Sequence, residues 1–209
     1  MWCSTHSHAK SAVVVLLCLV LQATAWANPE QVATSQTAMA SAPAATSANS
    51  IGGAHPQLPG SKLQGQATMR FWGMRVYQAR LWTAGDFRAE RITEQPLVLE
   101  LQYLLDLNGQ AIAERSLKEI QRAASIESEQ AQRWLTTMQR IFPDVKSGER
   151  LTGVLKPGIG VVFWHNDRKI AEVPDADFAR RFFGIWLAPT TSEPNMRLAL
   201  LGLKESGER

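Results

Sequence analysis

Between residues 58 and 202 the hydrophobic period of this chain switches twice, and the switching limits the folds open to it. Residues 64–71 and 73–82 read as extended strands. Residues 96–103 alternate cleanly: Leu97, Leu99, Leu101 and Tyr103 share one face, and Glu100 and Gln102 the other. Asn108-Gly109 reads as a turn. The period then lengthens. Ile112, Ala113, Leu117, Ile120 and Ala124 form one helical stripe. Trp134, Leu135, Met138, Ile141 and Phe142 form a second, with Ser128 as its N-cap and Pro143 as its stop. Period two returns in 150–155, 160–165 and 169–173, joined by Pro157-Gly158 and Asn166-Asp167 turns. Asp175 caps a further helix, whose stripe is Phe178, Ala179, Phe182, Phe183, Trp186 and Leu187. Arg180 and Arg181 fall off that stripe, and Gly184 lies on the polar side, a place where another backbone could approach. A last helix runs from Ser192 to Leu201 and stops at Gly202. Strands and helices thus come in blocks. That order predicts an α+β domain with a largely antiparallel sheet and helices packed on one face.

The ends read differently. Lys10, the apolar run 12–21 and Ala25-Trp26-Ala27 predict a secretory signal peptide over residues 1–27, cut after Ala27. The apolar run is too short for a helix crossing a core of about 30 Å, so no transmembrane segment is expected after cleavage. Leu17 precedes Cys18 where lipid attachment needs a small residue. Residues 28–57 are mostly Ala, Ser, Thr, Gln and Pro, and are read as a disordered spacer that cannot offset its ordering entropy. The domain is placed at 58–204 and a short tail at 205–209.

The chemical inventory of that domain is thin. Cys3 and Cys18 both lie in the expected leader, so neither a thiol nor a disulfide is expected after cleavage. His165 is its one histidine, since His55 falls in the spacer. A typical zinc site or a histidine-based triad needs more. No phosphate-cradling glycine loop is present, and no cofactor is expected. The formal charge of +3 includes Lys10, and the basic residues are scattered, which argues against nucleic acid as partner.

The stretch 69–82, MRFWGMRVYQARLW, carries Arg70, Arg75 and Arg80 among aromatic residues. Arg75 and Arg80 differ in parity and are read as solvent-facing. Arg70 keeps a functional reading. It stands seven residues from Tyr77, on the opposite face of a regular strand. A bulge at Gly73, or a bend that splits the run, is needed to bring the two together.

Four segments in order, GQATMRFWGMRVYQARLW, FPDVKSGERLTG, DFARRFFGIWL and MRLALLG, resemble the bacterial chalcone isomerase-like family in its exported, single-domain form. The resemblance spans residues 60–202. It implies an open-faced β-sandwich, a large antiparallel sheet backed by helices with a ligand cleft between. In that family, plant isomerases close a chalcone to a flavanone, and related non-catalytic members bind fatty acids. Both use an arginine near the start of the sheet, and the binders add the tyrosine of a Val-Tyr pair. The resemblance therefore implies Arg70 and Tyr77 as ligand-binding residues, with Val76-Tyr77 as the pair and Gly65 and Ala67 in the glycine-containing motif. The isomerase set matches poorly. Trp72 stands for its threonine, Lys118 fits its lysine, and Arg115 and Arg122 replace tyrosine and asparagine.

Three functions follow as expectations. The first is an exported, periplasmic, non-catalytic binder of a small amphipathic acid such as a fatty acid. The second is an isomerase or intramolecular lyase using Arg70, Tyr77 and Lys118. The third is a structural or partner-binding envelope protein. Protein partners, oligomeric state and ligand identity stay open.

Overall fold

The computed structural model describes residues 53–203. The expected leader, residues 28–52 of the expected spacer and the tail 205–209 lie outside the described residues. Six strands form one antiparallel sheet in chain order: β1 Lys62–Phe71, β2 Met74–Thr83, β3 Leu97–Tyr103, β4 Arg150–Lys156, β5 Gly160–His165 and β6 Arg168–Val173. A kinked 3-10 segment, Ala89–Glu94, joins β2 to β3. Helices α1 Gly109–Ala123 and α2 Ser128–Ile141 separate β3 from β4, and α3 Ala176–Leu187 and α4 Pro194–Leu201 follow β6. This is the α+β block order that the period switching predicts.

The helices cover one sheet face because their stripes and the strand alternation meet there. Leu81, Leu99, Leu101, Leu151, Leu155, Val161 and Phe163 supply the sheet side. Ile120, Trp134, Met138 and the whole expected α3 stripe supply the helix side. Asp175 caps α3 as expected, its carboxylate accepting the Phe178 N–H at 2.8 Å. The chain needs Gly65 for α4 to lie on β1. A Cβ there would stand 2.1 Å from the Ala199 carbonyl oxygen, so any side chain would push the helix off the strand.

Several local readings change. Asn108 is the N-cap of α1 rather than a free turn, its side chain accepting the N–H groups of Gln110 and Ala111. Glu127 rather than Ser128 precedes α2. The register break in the first hairpin is taken up at Val76, since Met69 pairs with Tyr77 and Arg70 with Arg75. Gly73 instead forms the turn with Trp72.

The far sheet face is less bare than expected. Trp82, Val98, Val154 and Val162 form a second apolar cluster there, with Leu58, Leu63 and Trp164 against it. Glu100 is buried among them and pairs with Arg80 at 3.0 Å. The solvent-facing reading of Arg80 fails for that reason: the carboxylate partner sits opposite it on the neighbouring strand. The spacer boundary also moves. His55 is buried, its ring 5.6 Å from Trp82 and its backbone N–H donating to Ser61 Oγ at 3.0 Å. A chain starting at Leu58 is therefore expected to lose about 1–2 kcal/mol relative to one starting at Gly53. Thermal melting checks this, and equal midpoints would return His55 to the spacer.

Candidate functional site

A cleft of about 520 Å³ opens where four segments meet. Ala89, Ile92 and Thr93 come from the 3-10 segment, Ile120, Ala123 and Ala124 from the end of α1, and Gly184, Leu187 and Ala188 from α3. Small and aliphatic side chains make its walls. Arg180, Arg181 and Arg197 also line it, against one lining carboxylate, Glu90. The volume lies within the usual range for small-molecule sites, and the mixture is the usual one: apolar walls and a few polar groups that fix orientation.

The guanidinium groups are held in place. Arg180 and Arg181 both bond to Asp177, one turn back on α3. Arg181 also lies over the Trp134 ring, 5.9 Å from its centroid. Partial burial acts to raise the Asp177 carboxyl, but the two arginines outweigh it and hold it below its ordinary 3.8. Arg197 donates through Nε to the Leu187 carbonyl at 2.8 Å. Each contact uses part of a five-donor fork, so donor capacity is left for an anion. The rim of the cleft is fixed by Glu119 of α1. Ser192 Oγ donates to it at 2.9 Å, and Arg122 bridges it to the Thr190 carbonyl. Burial acts to raise the Glu119 carboxyl, and bonds from Arg122 and Ser192 with the Arg115 charge outweigh it and keep it ionised.

Gly184 matters here for its emptiness. The sequence leaves room for a backbone to approach it, but none does. An added Cβ would meet Ala188 Cβ at 3.6 Å, an ordinary contact. The missing side chain is cleft space.

Tyr77 sits elsewhere in the helix–sheet interface. It lies opposite Tyr103 on the neighbouring strand, ring centroids 6.0 Å apart, and its Oη accepts the Trp186 indole N–H at 2.9 Å. Burial pushes the Tyr77 phenol up to about 12, against the opposing effect of that indole bond. Burial also raises Tyr103. Both stay neutral donors at ordinary pH.

The structure does not bring Arg70 to Tyr77. Met69 is the residue paired with Tyr77, and Arg70, one step on, takes the other face and is exposed. The irregularity at Val76 lies on β2, so it leaves the β1 alternation intact through Arg70. Lys118 is exposed on α1. The charges acting most strongly on Tyr77 are Glu193, Arg115 and Glu119. The expected carboxylate clamp and the expected catalytic trio therefore do not converge. No group of three or more potential metal ligands occurs among the described residues.

The family model for chalcone isomerase-like proteins matches residues 56–202. The chain belongs to the chalcone isomerase-like family. It is 32% identical over 136 residues to an uncharacterized protein of Haemophilus influenzae. The match covers 65% of each chain, so this chain spans just under two thirds of that relative. The fold is shared with the crystal structure of a fatty-acid binding protein of Arabidopsis thaliana. That likeness has a TM-score of 0.54 at 12% identity and covers 72% of this chain and 95% of the other. The chalcone isomerase-like sheet and helices are thus present over nearly the whole described region.

Sequence reasoning missed the cleft arginines. Arg180 and Arg181 were visible as the polar side of α3, and DFARRFFGIWL carries both. What the sequence lacked was a sign that the 3-10 segment and α4 would close around them.

Proposed function

We propose that this protein is an exported, non-catalytic binder of a small amphipathic acid, such as a fatty acid, and that the cleft beside α3 is its site. One observation carries the reading: an apolar cleft lined by Arg180, Arg181 and Arg197 with a single carboxylate. The chalcone isomerase-like family and the fold shared with a fatty-acid binding protein support it. An apolar tail would lie along the accessible walls formed by Ala89, Ile92, Ala123 and Ala188, and the carboxylate would take the free donors of the arginines. Burying about ten methylenes is worth roughly 8 kcal/mol before association costs, and a charge-assisted bond adds about 1.5–3 kcal/mol. The tail then supplies most of the affinity, and the arginines select acids over alcohols. The Ala25-Trp26-Ala27 sequence motivates export to the periplasm.

Gly184→Leu is expected to fill the cleft and abolish fatty-acid binding while leaving the thermal midpoint unchanged or higher, because glycine weakens a helix interior by about 0.5–1 kcal/mol. Arg197→Ala is expected to weaken a fatty acid by about tenfold to a hundredfold and the matching alcohol hardly at all. Calorimetric titration of both ligands checks both variants. Full binding by Gly184→Leu would remove the cleft as the site. Native mass spectrometry of protein purified from its source would show the bound acid, and a chain beginning at Asn28 would establish processing.

A further inference from the structure

The β1–β2 hairpin ends in an arrangement that neither the core nor the cleft explains. Phe71 pairs with Met74, and Trp72 and Gly73 form the two-residue turn. Both turn residues have positive φ, 49° for Trp72 and 81° for Gly73. Such turns favour Asn-Gly, and a bulky residue in the left-handed region is strained. The chain keeps a tryptophan there with 85% of its surface exposed. Phe71 stacks on it, ring centroids 5.6 Å apart and planes 10° off parallel, and Met74 is about half exposed at 49%.

The ribbon also projects. The β2–β3 pairing begins only at Tyr77, so the tip extends beyond the sheet's third strand. Arg70 and Arg75 form the cross-strand pair just behind the aromatic residues, and both are exposed. Two like charges facing each other across a ribbon are unfavourable without an anionic neighbour. No acidic residue occurs anywhere from Leu58 to Gly85.

We propose that this hairpin tip is a membrane-docking element, which seats Phe71, Trp72 and Met74 in the interfacial zone of an anionic phospholipid bilayer and sets Arg70 and Arg75 on its phosphates. Tryptophan favours that zone because its ring is apolar with one polar edge. Arginine suits phosphate because its planar fork bonds two oxygens at once. Three apolar side chains at the end of a narrow ribbon can enter a headgroup layer without unfolding anything. Among the described residues no helix is long and apolar enough to cross a membrane, so the contact is peripheral. It stands independently of the cleft. The docking explains why two of the three arginines in 69–82 flank aromatic residues: they are the cationic collar of an exposed tip.

Vesicle co-sedimentation tests it, with the chain as isolated from its source and every variant prepared in the same form. One vesicle set is phosphatidylcholine alone, and the other contains about one third phosphatidylglycerol. The protein is expected to bind the anionic set and to be released by salt. Arg70→Gln with Arg75→Gln is expected to weaken that binding about thirtyfold. Trp72→Asn is expected to weaken it at least about tenfold. That variant restores the favoured Asn-Gly turn, so its thermal midpoint should not fall and a folding defect cannot imitate the result. Equal binding to both vesicle sets, or unchanged binding by Trp72→Asn, overturns the proposal. So does capture of a stoichiometric protein partner through the hairpin with no vesicle binding.

Discussion

Phe182→Ala is expected to cost about 3–5 kcal/mol, because the ring is buried at the centre of the aromatic row and its loss leaves a cavity that neighbours cannot fill. Phe182 meets Phe163 edge-on at 5.1 Å and Trp186 at 5.4 Å, and it stacks on Phe178 at 5.6 Å. It also touches Phe142 and Phe183. These partners come from β5, from α3 itself and from the end of α2, so one ring ties two helices to the sheet. Aromatic pairs add about 0.5–1.5 kcal/mol each beyond area, which places the loss toward the upper end. Denaturant unfolding measures it. Phe182 does not line the cleft, so fatty-acid affinity of the folded fraction should stay near wild type. Near-wild-type stability with lost binding would make the row a pocket wall instead.

That row was legible because burial and helical period coincide. Every residue of the stripe from Phe178 to Leu187 is buried, and the period alone says so. Strands with one core face were legible on the same ground, as in Leu97, Leu99, Leu101 and Tyr103. Features that depend on a partner distant in sequence were not. Arg80 reads as a surface residue until β3 sets Glu100 against it. His55 sits in a stretch whose composition matches the spacer, and partners reached only by folding, the Trp82 ring and the Glu100 carboxylate, lie against it. Asn108 can start a helix or a turn, and the carboxylate of Asp144, accepting the Gly109 N–H at 2.8 Å, helps hold it at the helix start. The cleft was hidden for a related reason. Its lining comes from residues near 90, 120, 185 and 197, none of which is unusual alone. Tyr77 was matched by its Val-Tyr pair, but a pair says nothing about the strand register that sends Arg70 to the other face.

Glu100→Ala is expected to destabilise the domain by about 3 kcal/mol, the lower end of what breaking a buried ion pair costs. The Glu100 side chain is 11% exposed, so solvent screens it weakly. It faces Arg80 at 3.0 Å, Arg150 at 3.5 Å and His55 Nε2 at 3.7 Å. Removing the carboxylate leaves these groups together on the far sheet face without their common anion. Arg80 keeps bonds to Gln78 Oε1 at 2.7 Å and Gln102 Oε1 at 3.3 Å, which is why the cost stays at the lower end. Glu100→Gln keeps the shape and an acceptor, and is expected to cost about 1–2 kcal/mol. The pH dependence identifies the cause. Burial acts to raise the Glu100 carboxyl, but bonds from His55 and Arg80 outweigh it and hold it below the ordinary 4.5. A depressed carboxylate stabilises fully above its unfolded value, and the contribution is lost as pH falls through the lower folded value. The gap between wild type and Glu100→Ala should therefore be larger at neutral pH than in acid, and shrink as pH falls below about 4. Other depressed carboxylates are common to both proteins and cancel in the difference. Unfolding both across that range measures it. A gap that stays the same in acid would mean that the side chain is held for its packing, and that the charge pairing with Arg80 contributes nothing.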